Sequence, residues 1–155
     1  MLQSVRFSRA LVATLALSVI AGCAMQSSSH LQTASDHGSE SPGARYQIYF
    51  DTNKIEISDR GQMIVRKVAD VVADNETARL TVIGKTDRVG EPSANMALSR
   101  QRADQVRDAL AAAGVPLSHI DTSWTGEGRQ EVATANGEAE ERNRVVDITV
   151  VERSR

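Results

Sequence analysis

The chain has 155 residues, of which 18 are Lys or Arg and 20 are Asp or Glu, so its formal net charge at pH 7 is −2. This balance argues against general nucleic-acid binding, which depends on a surplus of positive charge. Cys23 is the only cysteine, so the chain cannot form an internal disulfide bond.

The first 22 residues are predicted to be a secretory signal peptide. Arg6 and Arg9 form a short basic region, and residues 10–21 form a largely apolar run. A mature transmembrane helix needs about 20 apolar residues, and this run is too short. We therefore expect residues 1–22 to be absent from the folded protein.

The single cysteine lies where the apolar run ends. Ile-Ala-Gly at residues 20–22 precedes Cys23 and resembles the lipobox at which bacterial lipoproteins are cleaved and acylated. The resemblance implies that Cys23 carries the lipid, and that the protein is sorted to the outer membrane because Ala24 replaces the Asp of the usual retention signal. The mature chain would then have 16 basic and 20 acidic residues. The alternative is an ordinary signal peptide followed by an incidental thiol.

A tether is predicted after the cysteine. Residues 24–44 are rich in Ser, Gly and other small polar types and show no apolar period. His30 and His37 have no cysteine or acidic cluster at metal-ligand spacing, so they are interpreted as solvated and no cofactor is indicated. Residues 23–44 are thus the anchor and tether, and residues 45–155 suit one domain.

The domain shows alternating strand and helix patterns. Strands are predicted at residues 45–51, 79–86, 120–126 and 144–152, and helices from Ser58 or Asp59 to residue 75 and from Pro92 to Gly114. The order β-α-β-α-β-β predicts parallel pairing among the first three strands and an antiparallel last strand. We expect an α+β fold, a two-layer α/β sandwich with a mixed sheet and one open sheet face or edge.

The second predicted helix places a charged side chain in an apolar stripe. Arg102 lies within about 60° of Asn95 on a helical wheel, and the same arc holds Leu98, Val106, Ala109, Leu110 and Ala113. A guanidinium held against a core is tolerated only when carboxylates or carbonyls accept hydrogen bonds from it. One interpretation is an internal ion pair between Arg102 and Asp87.

The residues around Arg102 resemble a known signature. Eight identities match the peptidoglycan-binding pattern of the OmpA-like C-terminal family, namely Thr86, Asp87, Gly90, Asn95, Leu98, Ser99, Arg102 and Ala103. Phe-Asp-Thr-Asn at residues 50–53 and Asn-Arg at 143–144 resemble two further family elements. The resemblance implies the OmpA-like fold over nearly all of residues 45–152 and a peptidoglycan-binding domain.

The ligand implied by this resemblance is the diaminopimelate of the peptidoglycan stem peptide. Asp87 would accept from its ammonium group, and Arg102 would donate two parallel hydrogen bonds to its carboxylate. Asn53 and Asn95 would offer amide groups, and Arg144 would add a second positive contact. Backbone amides of residues 88–90 would complete the anion site.

Each of these residues also has a purely structural interpretation. Asn95 would cap or brace the first turn of its helix, and Asn53 would shape a turn. Arg144 would be a surface residue at the start of a strand, and Gly90 would serve backbone geometry.

Three features depart from the family pattern. Lys85 stands where many relatives have His before Thr-Asp, and Val145 replaces the second Arg of the closing motif. The segment from residue 127 to residue 142 lacks the usual Pro and is about two residues short.

The resemblance favours a non-catalytic lipoprotein that tethers the outer membrane to the cell wall. An envelope hydrolase is one alternative, but the only thiol is assigned to lipidation, and no motif places His119 beside a Ser nucleophile. The other alternative is an envelope protein-interaction module, either a Tol-system partner or a regulatory lipoprotein that signals to an inner-membrane protein.

Overall fold

The computed structural model describes residues 43–75 and 77–152. The predicted signal peptide at 1–22, the lipidation of Cys23 and the tether as far as residue 42 lie outside the described residues. Gly43 and Ala44, assigned to the tether from sequence, hydrogen-bond to Val150 through Gly43 N–H at 2.7 Å and the Ala44 carbonyl at 3.0 Å. The last two tether residues therefore belong with the sheet.

Six elements follow one another in the predicted order. They are β1 (Arg45–Tyr49), α1 (Asp59–Ala73), β2 (Ala78–Gly84), α2 (Pro92–Ala112), β3 (Ile120–Trp124) and β4 (Val145–Glu152), with short 3-10 turns at Leu117–His119 and Glu141–Asn143. The described residues form a four-stranded sheet of order β1-β4-β2-β3. β4 is antiparallel to both of its neighbours, and β2 is parallel to β3. The α+β class, the mixed sheet and the antiparallel return are confirmed.

Local signals explain where the helices begin. The Ser58 hydroxyl accepts a hydrogen bond from Gly61 N–H at 3.2 Å and caps α1. α2 begins at Pro92. The first N–H groups of a helix have no intrahelical acceptor, so the missing N–H of proline costs no hydrogen bond there. Each helix then turns its apolar stripe toward the sheet.

The core lies between the two helices and one face of the sheet. Its fully or almost fully buried side chains include Val65, Val68, Val72, Leu80, Val82, Val106, Leu110, Val146, Ile148 and Val150. The last three form the inward face of β4. Burying each such side chain contributes roughly 1.5 to 3 kcal/mol, so this shared apolar layer is the main source of stability.

Three strands end at the same edge of the sheet. β1 and β2 are both antiparallel to β4, and β3 is parallel to β2, so the carboxyl ends of β1, β2 and β3 all point one way. The strands are shorter than predicted at this edge, because the backbone groups that follow them do not continue the regular hydrogen bonding between neighbouring strands. Phe50 N–H donates to the Arg144 carbonyl, and Thr86 N–H donates to the Gly126 carbonyl. These irregular segments bring the predicted site residues together.

A glycine brings α2 close to the end of β2. A Cβ atom added to Gly84 would lie 2.0 Å from the backbone oxygen of Ser99. Real side chains never approach so closely, so only glycine allows this contact between strand and helix. Gly84 thereby sets the distance between α2, which carries Arg102, and the loop that carries Asp87.

The sheet face opposite the helices is covered at this end. Val145 and Asp147 point to that face, yet they are only 0 % and 5 % exposed. The segment after β3, residues 125–140, crosses this face and is called the covering loop below. Of the expected open sheet face or edge, the face is therefore covered at this end by the covering loop, whereas β1 and β3 are edge strands. None of the helices in the described ranges is both long and apolar enough to cross a membrane.

Candidate functional site

Arg102 is a fully buried cation whose hydrogen bonds go to backbone oxygens. Its Nε donates to the Lys54 carbonyl at 2.9 Å, and its Nη2 donates to the Asp51 carbonyl at 2.8 Å. A longer contact of 3.4 Å joins Nη1 to the Lys85 carbonyl, and the guanidinium lies 5.1 Å from the ring centre of Phe50. The expectation that carbonyls or carboxylates satisfy this side chain is confirmed, and the groups are carbonyls.

The internal ion pair between Arg102 and Asp87 is not formed. Asp87 instead pairs with Arg144, whose Nη1 lies 3.1 Å from its Oδ2. Arg144 also donates from Nε to the Phe50 carbonyl at 3.1 Å. The alternative that the ion pair explains Arg102 is therefore wrong, because the loop after β1 supplies the acceptors for Arg102 and leaves Asp87 to another arginine.

Burial weakens the hold of Arg102 on its proton. It lowers the pKa of the guanidinium to about 10, while the nearby Asp87 opposes this change and Arg144 adds to it. Arg102 is still charged at neutral pH. Two guanidinium groups thus lie near one carboxylate that pairs with only one of them, which leaves an excess positive charge beside Asp87.

Arg144 does not behave as a surface residue. Only 14 % of its side chain is exposed, and it joins the loop after β1 to the loop after β2. Gly90 has φ +92° with open space around it, which supports a role in backbone geometry.

The two predicted asparagines differ in their surroundings. Asn95 is 4 % exposed, and its Nδ2 donates to Glu127 Oε2 of the covering loop at 2.7 Å. Its side chain therefore braces that loop and does not cap α2. Asn53 is exposed and has φ +55°, a left-handed conformation that Asn tolerates. It shapes the turn whose flanking carbonyls, those of Asp51 and Lys54, accept from Arg102.

A second set of charges was missed by the sequence analysis. Lys85 Nζ contacts Asp147 Oδ2 at 2.7 Å and also pairs with Glu131 of the covering loop. Arg45 Nη2 lies 2.8 Å from Asp147 and 2.6 Å from Glu131. We call these four residues the outer-face cluster. The only signal in the sequence was that Arg45, Gln47 and Asp147 alternate with the core-facing residues of their strands.

Burial and pairing act in opposite directions on this cluster. Burial alone would lower the pKa of Lys85, but its hydrogen bonds to Asp147 and Glu131 outweigh burial and raise that pKa. Burial alone would raise the pKa of Asp147, yet hydrogen bonds from Lys85, Gln47 and Arg45 hold it below its usual range. The cluster is therefore ionised at neutral pH.

The site is closed in this structure. Asp87 is 4 % exposed and Arg102 is fully buried. A groove of about 430 Å³ lies beside β1 and the start of α1, and a cavity of about 520 Å³ lies at the far ends of the helices. Neither is lined by Asp87 or Arg102, although the first reaches Asp51. Within the described ranges, no group of three or more His, Cys, Asp or Glu side chains is arranged to hold a metal ion.

The fold and site define a class of small α+β domains with a buried aspartate in the loop after β2 and a buried arginine in α2. Residues 49–145, more than half of the chain, match the model of the OmpA family. The protein therefore belongs to the OmpA family.

Named relatives and solved structures agree with this assignment. Probable lipoprotein YiaD of Escherichia coli (strain K12) is 34% identical over 103 residues, which cover 66% of this chain and 47% of that protein. Peptidoglycan-binding protein ArfA of Mycobacterium tuberculosis is 39% identical over 87 residues, covering 56% and 27%. The crystal structure of the peptidoglycan-associated lipoprotein from Burkholderia pseudomallei matches with TM-score 0.63 and 24% identity, covering 67% of this chain and 88% of that one. The match to this crystal structure shows the shared fold, and the chain spans half or less of the length of the two named relatives.

Proposed function

We propose that this protein is a non-catalytic outer-membrane lipoprotein that binds the diaminopimelate of peptidoglycan stem peptides. The observation that carries the proposal is Arg102, a buried and charged guanidinium with no carboxylate among its hydrogen-bond partners in the described residues. A buried charge without an opposite charge is unfavourable. A ligand carboxylate would supply the missing negative charge.

The hydrogen-bonding capacity of Arg102 fits such a ligand. A guanidinium has five N–H groups, and three of them serve the carbonyls described above. The remaining two can donate to one carboxylate in parallel. Asp87 Oδ1 has only a long contact of 3.4 Å from Val89 N–H, so it retains capacity for an ammonium group. A zwitterionic amino-acid end presents both charges together.

Opening of the site is part of the proposed mechanism. Because Asp87 and Arg102 are covered, the ligand has to displace a neighbour before it reaches them. The exposed turn at residues 51–54 and the side chain of Arg144 are the adjoining groups that can move. Once these groups move, the ammonium of the ligand would contact Oδ1 of Asp87. Asn53 would offer a polar group at the exposed turn, and Asn95 would offer its amide after releasing Glu127.

The relatives support the same class of ligand. The mycobacterial relative is named as a peptidoglycan-binding protein, and the Escherichia coli relative is named as a probable lipoprotein. We propose the corresponding organisation here, with a signal peptide at 1–22, a lipidated Cys23 and tether to residue 44, and the wall-binding domain at 45–155. The domain would face the periplasm and link the outer membrane to the wall.

Co-sedimentation with purified sacculi tests the proposal. The protein from residue 24 to residue 155 should pellet with sacculi, and Asp87→Asn should weaken binding by about 2 to 5 kcal/mol because the ligand ammonium loses its charged partner. Asn retains the size and a hydrogen-bond acceptor for Arg144 but removes the carboxylate beside two buried guanidinium groups, so the thermal melt should also fall, and pelleting is compared well below the melting temperature of the variant. Asp70→Asn, an exposed position on α1, is the control for charge.

Two results would contradict the proposal. Equal pelleting of Asp87→Asn and the unchanged protein would remove Asp87 from the site. Release of new muropeptides above a boiled-protein control would instead place the protein among the wall enzymes.

An envelope protein partner is the second candidate, and the groove beside β1 favours it. β1 is an edge strand, and Tyr49, which lines the groove, is 41% exposed. An extended segment of another protein could pair with that edge. A pull-down from envelope extract with Tyr49→Ser as the comparison would separate this candidate from wall binding.

A further inference from the structure

The covering loop holds both sides of the Thr86–Asp87 dipeptide. On one side, Lys85 pairs with Glu131 of that loop. On the other, Arg88 Nη1 donates to Asn136 Oδ1 at 3.0 Å, and Gly137 N–H donates to the Arg88 carbonyl at 2.7 Å. The loop therefore makes contacts immediately before and after the carboxylate of the site.

Lys85 also contacts the site through its backbone. Its N–H donates to the Val145 carbonyl at 2.9 Å, next to Arg144, and its carbonyl receives the 3.4 Å contact from Arg102. The side chain points to the other face of the sheet, where only 9 % of it is exposed and where it pairs with Asp147 of β4. One residue thus joins the covering loop, β4 and Arg102, and its N–H is bonded to the residue that follows Arg144.

We propose that Lys85 is a positioning residue for this site. By pairing with Asp147 and Glu131 at once, it anchors the covering loop against the sheet and holds the Thr86–Asp87 backbone where Asp87 meets Arg144. The anchoring itself does not depend on what the site binds. Its effect on ligand affinity rests on the proposed function.

The chemistry of the cluster explains why a lysine suits this position. Two carboxylates, Asp147 and Glu131, lie close together on a mostly buried face, and Arg45 reaches them from the side of β1. A neutral side chain in place of Lys85 would leave one cation against two anions. Glu131, the more exposed anion, would then be held by Arg45 alone, and its loop would separate from the sheet more readily.

Four variants separate anchoring from general stability. Lys85→Met removes the charge but keeps an unbranched stem, and Glu131→Gln removes the ion pairs of the loop with both Lys85 and Arg45 while Lys85 stays paired with Asp147. Lys85→Arg restores the charge. Arg66→Met, exposed on α1 and remote from the cluster, controls for the loss of one positive charge.

The first measurement needs no ligand. Val132 N–H, which is bonded to Asn143 Oδ1 at 2.9 Å, and the Gly137 amide report on the covering loop by hydrogen exchange. Both should exchange at least tenfold faster in Lys85→Met and Glu131→Gln, while the core amide of Val68 is unchanged. The NMR signal of Arg144 Nε–H, bonded to the Phe50 carbonyl, should shift in the same variants.

The second measurement is the affinity for a soluble muropeptide that contains diaminopimelate, by calorimetry. Affinity should fall at least tenfold in Lys85→Met and Glu131→Gln, recover in Lys85→Arg and be unaffected in Arg66→Met. Failure of the unchanged protein to bind would overturn the proposed function, whereas the exchange rates and the Arg144 signal would still decide the anchoring.

The proposal is overturned if both loop amides stay as protected in the variants as in the unchanged protein. It is also overturned if they exchange faster while affinity and the Arg144 signal are unchanged, since Lys85 would then hold the loop without positioning the site. If Lys85→Met does not fold, Glu131→Gln is compared with Arg45→Met, which leaves the pairs of Lys85 with Glu131 and Asp147 in place. Faster exchange in Glu131→Gln than in Arg45→Met supports anchoring by Lys85, and equal exchange overturns it.

Discussion

At the scale of single residues, Arg102 combines two roles. Its carbonyl partners belong to the turn after β1 and to the strand end after β2, so the side chain joins two segments that are far apart in sequence. A lysine could not make these contacts equally well, because an ammonium lacks the planar spread of donors. Three N–H groups of the guanidinium order these two segments, and the other two N–H groups remain for a ligand.

We predict that Arg102→Met destabilises the domain even without ligand. Removal of the guanidinium breaks two part-buried, charge-assisted hydrogen bonds to the carbonyls of Asp51 and Lys54, which costs about 3 kcal/mol in the free energy of unfolding. Urea denaturation measures the change, and Arg100→Met, on the exposed side of α2, is the matched control. A variant as stable as the control would show that Arg102 serves only the ligand.

At the scale of elements, the contact between β2 and α2 places the site. Gly84 and Ala103 are both buried where the strand and the helix meet, and the contact is tight enough to exclude a methyl group at Gly84. The loop after β2 leaves the sheet directly from this point. Its position therefore depends on how closely α2 packs.

We predict that Gly84→Ala separates α2 from β2 and destabilises the domain by about 3 kcal/mol, since the new methyl group meets backbone that cannot rotate away. Gly90→Ala should cost only about 1 kcal/mol, because it meets open space and strains only its φ angle. Thermal unfolding of the two variants tests this order. Equal losses would mean that the close contact is relieved without cost.

At the scale of the whole molecule, charges on the outer face hold the covering loop to the sheet. The pKa of Glu131 is lowered chiefly by its hydrogen bond from Lys85, and that of Asp147 is lowered by pairing that outweighs its burial. Carboxyl groups with a lowered pKa in the folded state contribute stability that is present at neutral pH. That contribution is lost as the pH falls through the folded-state pKa.

We predict a loss of stability in acid that depends on this cluster. The free energy of unfolding should change little between about pH 7 and pH 5 and should fall below about pH 4, where these carboxyl groups take up protons. Glu131→Gln should flatten this dependence, whereas Glu138→Gln, exposed on the same loop, should retain it. Identical slopes for both variants, measured by urea denaturation at each pH, would contradict the prediction.

Anchoring of the whole protein is predicted to depend on Cys23. Stable membrane attachment takes more than one acyl chain, and the multiply acylated cysteine of bacterial lipoproteins supplies them. Cys23→Ser should therefore give a soluble or unprocessed form on membrane fractionation. Processing at residue 23 together with retention in the outer membrane would disprove the lipid anchor.

The sequence by itself determined the order of the elements, the inward faces of the strands and the burial of Arg102. These features depend on hydrophobic periods of two residues in strands and 3.6 residues in helices, and on helix caps that act over a few positions. They can therefore be predicted from short stretches of sequence. Strand ends were less well predicted, because residues such as Phe50 and Thr86 have strand-like neighbours but bond to loops. Leu98 and Ala109, predicted on the inward stripe of α2, are only half-buried, since the helix turns Ser99 and Ala103 more fully toward the sheet.

Only the tertiary structure decided which charges meet. Asp87 had Arg102 as its nearest matching arginine in the signature, yet it pairs with Arg144, 57 positions away in sequence. Lys85 gains both of its partners from the paths of β4 and the covering loop. Such pairings depend on strand order and loop path, which bring distant residues together without leaving a periodic pattern in the chain. Side-chain type indicates that a charge needs a partner, and three-dimensional packing selects it.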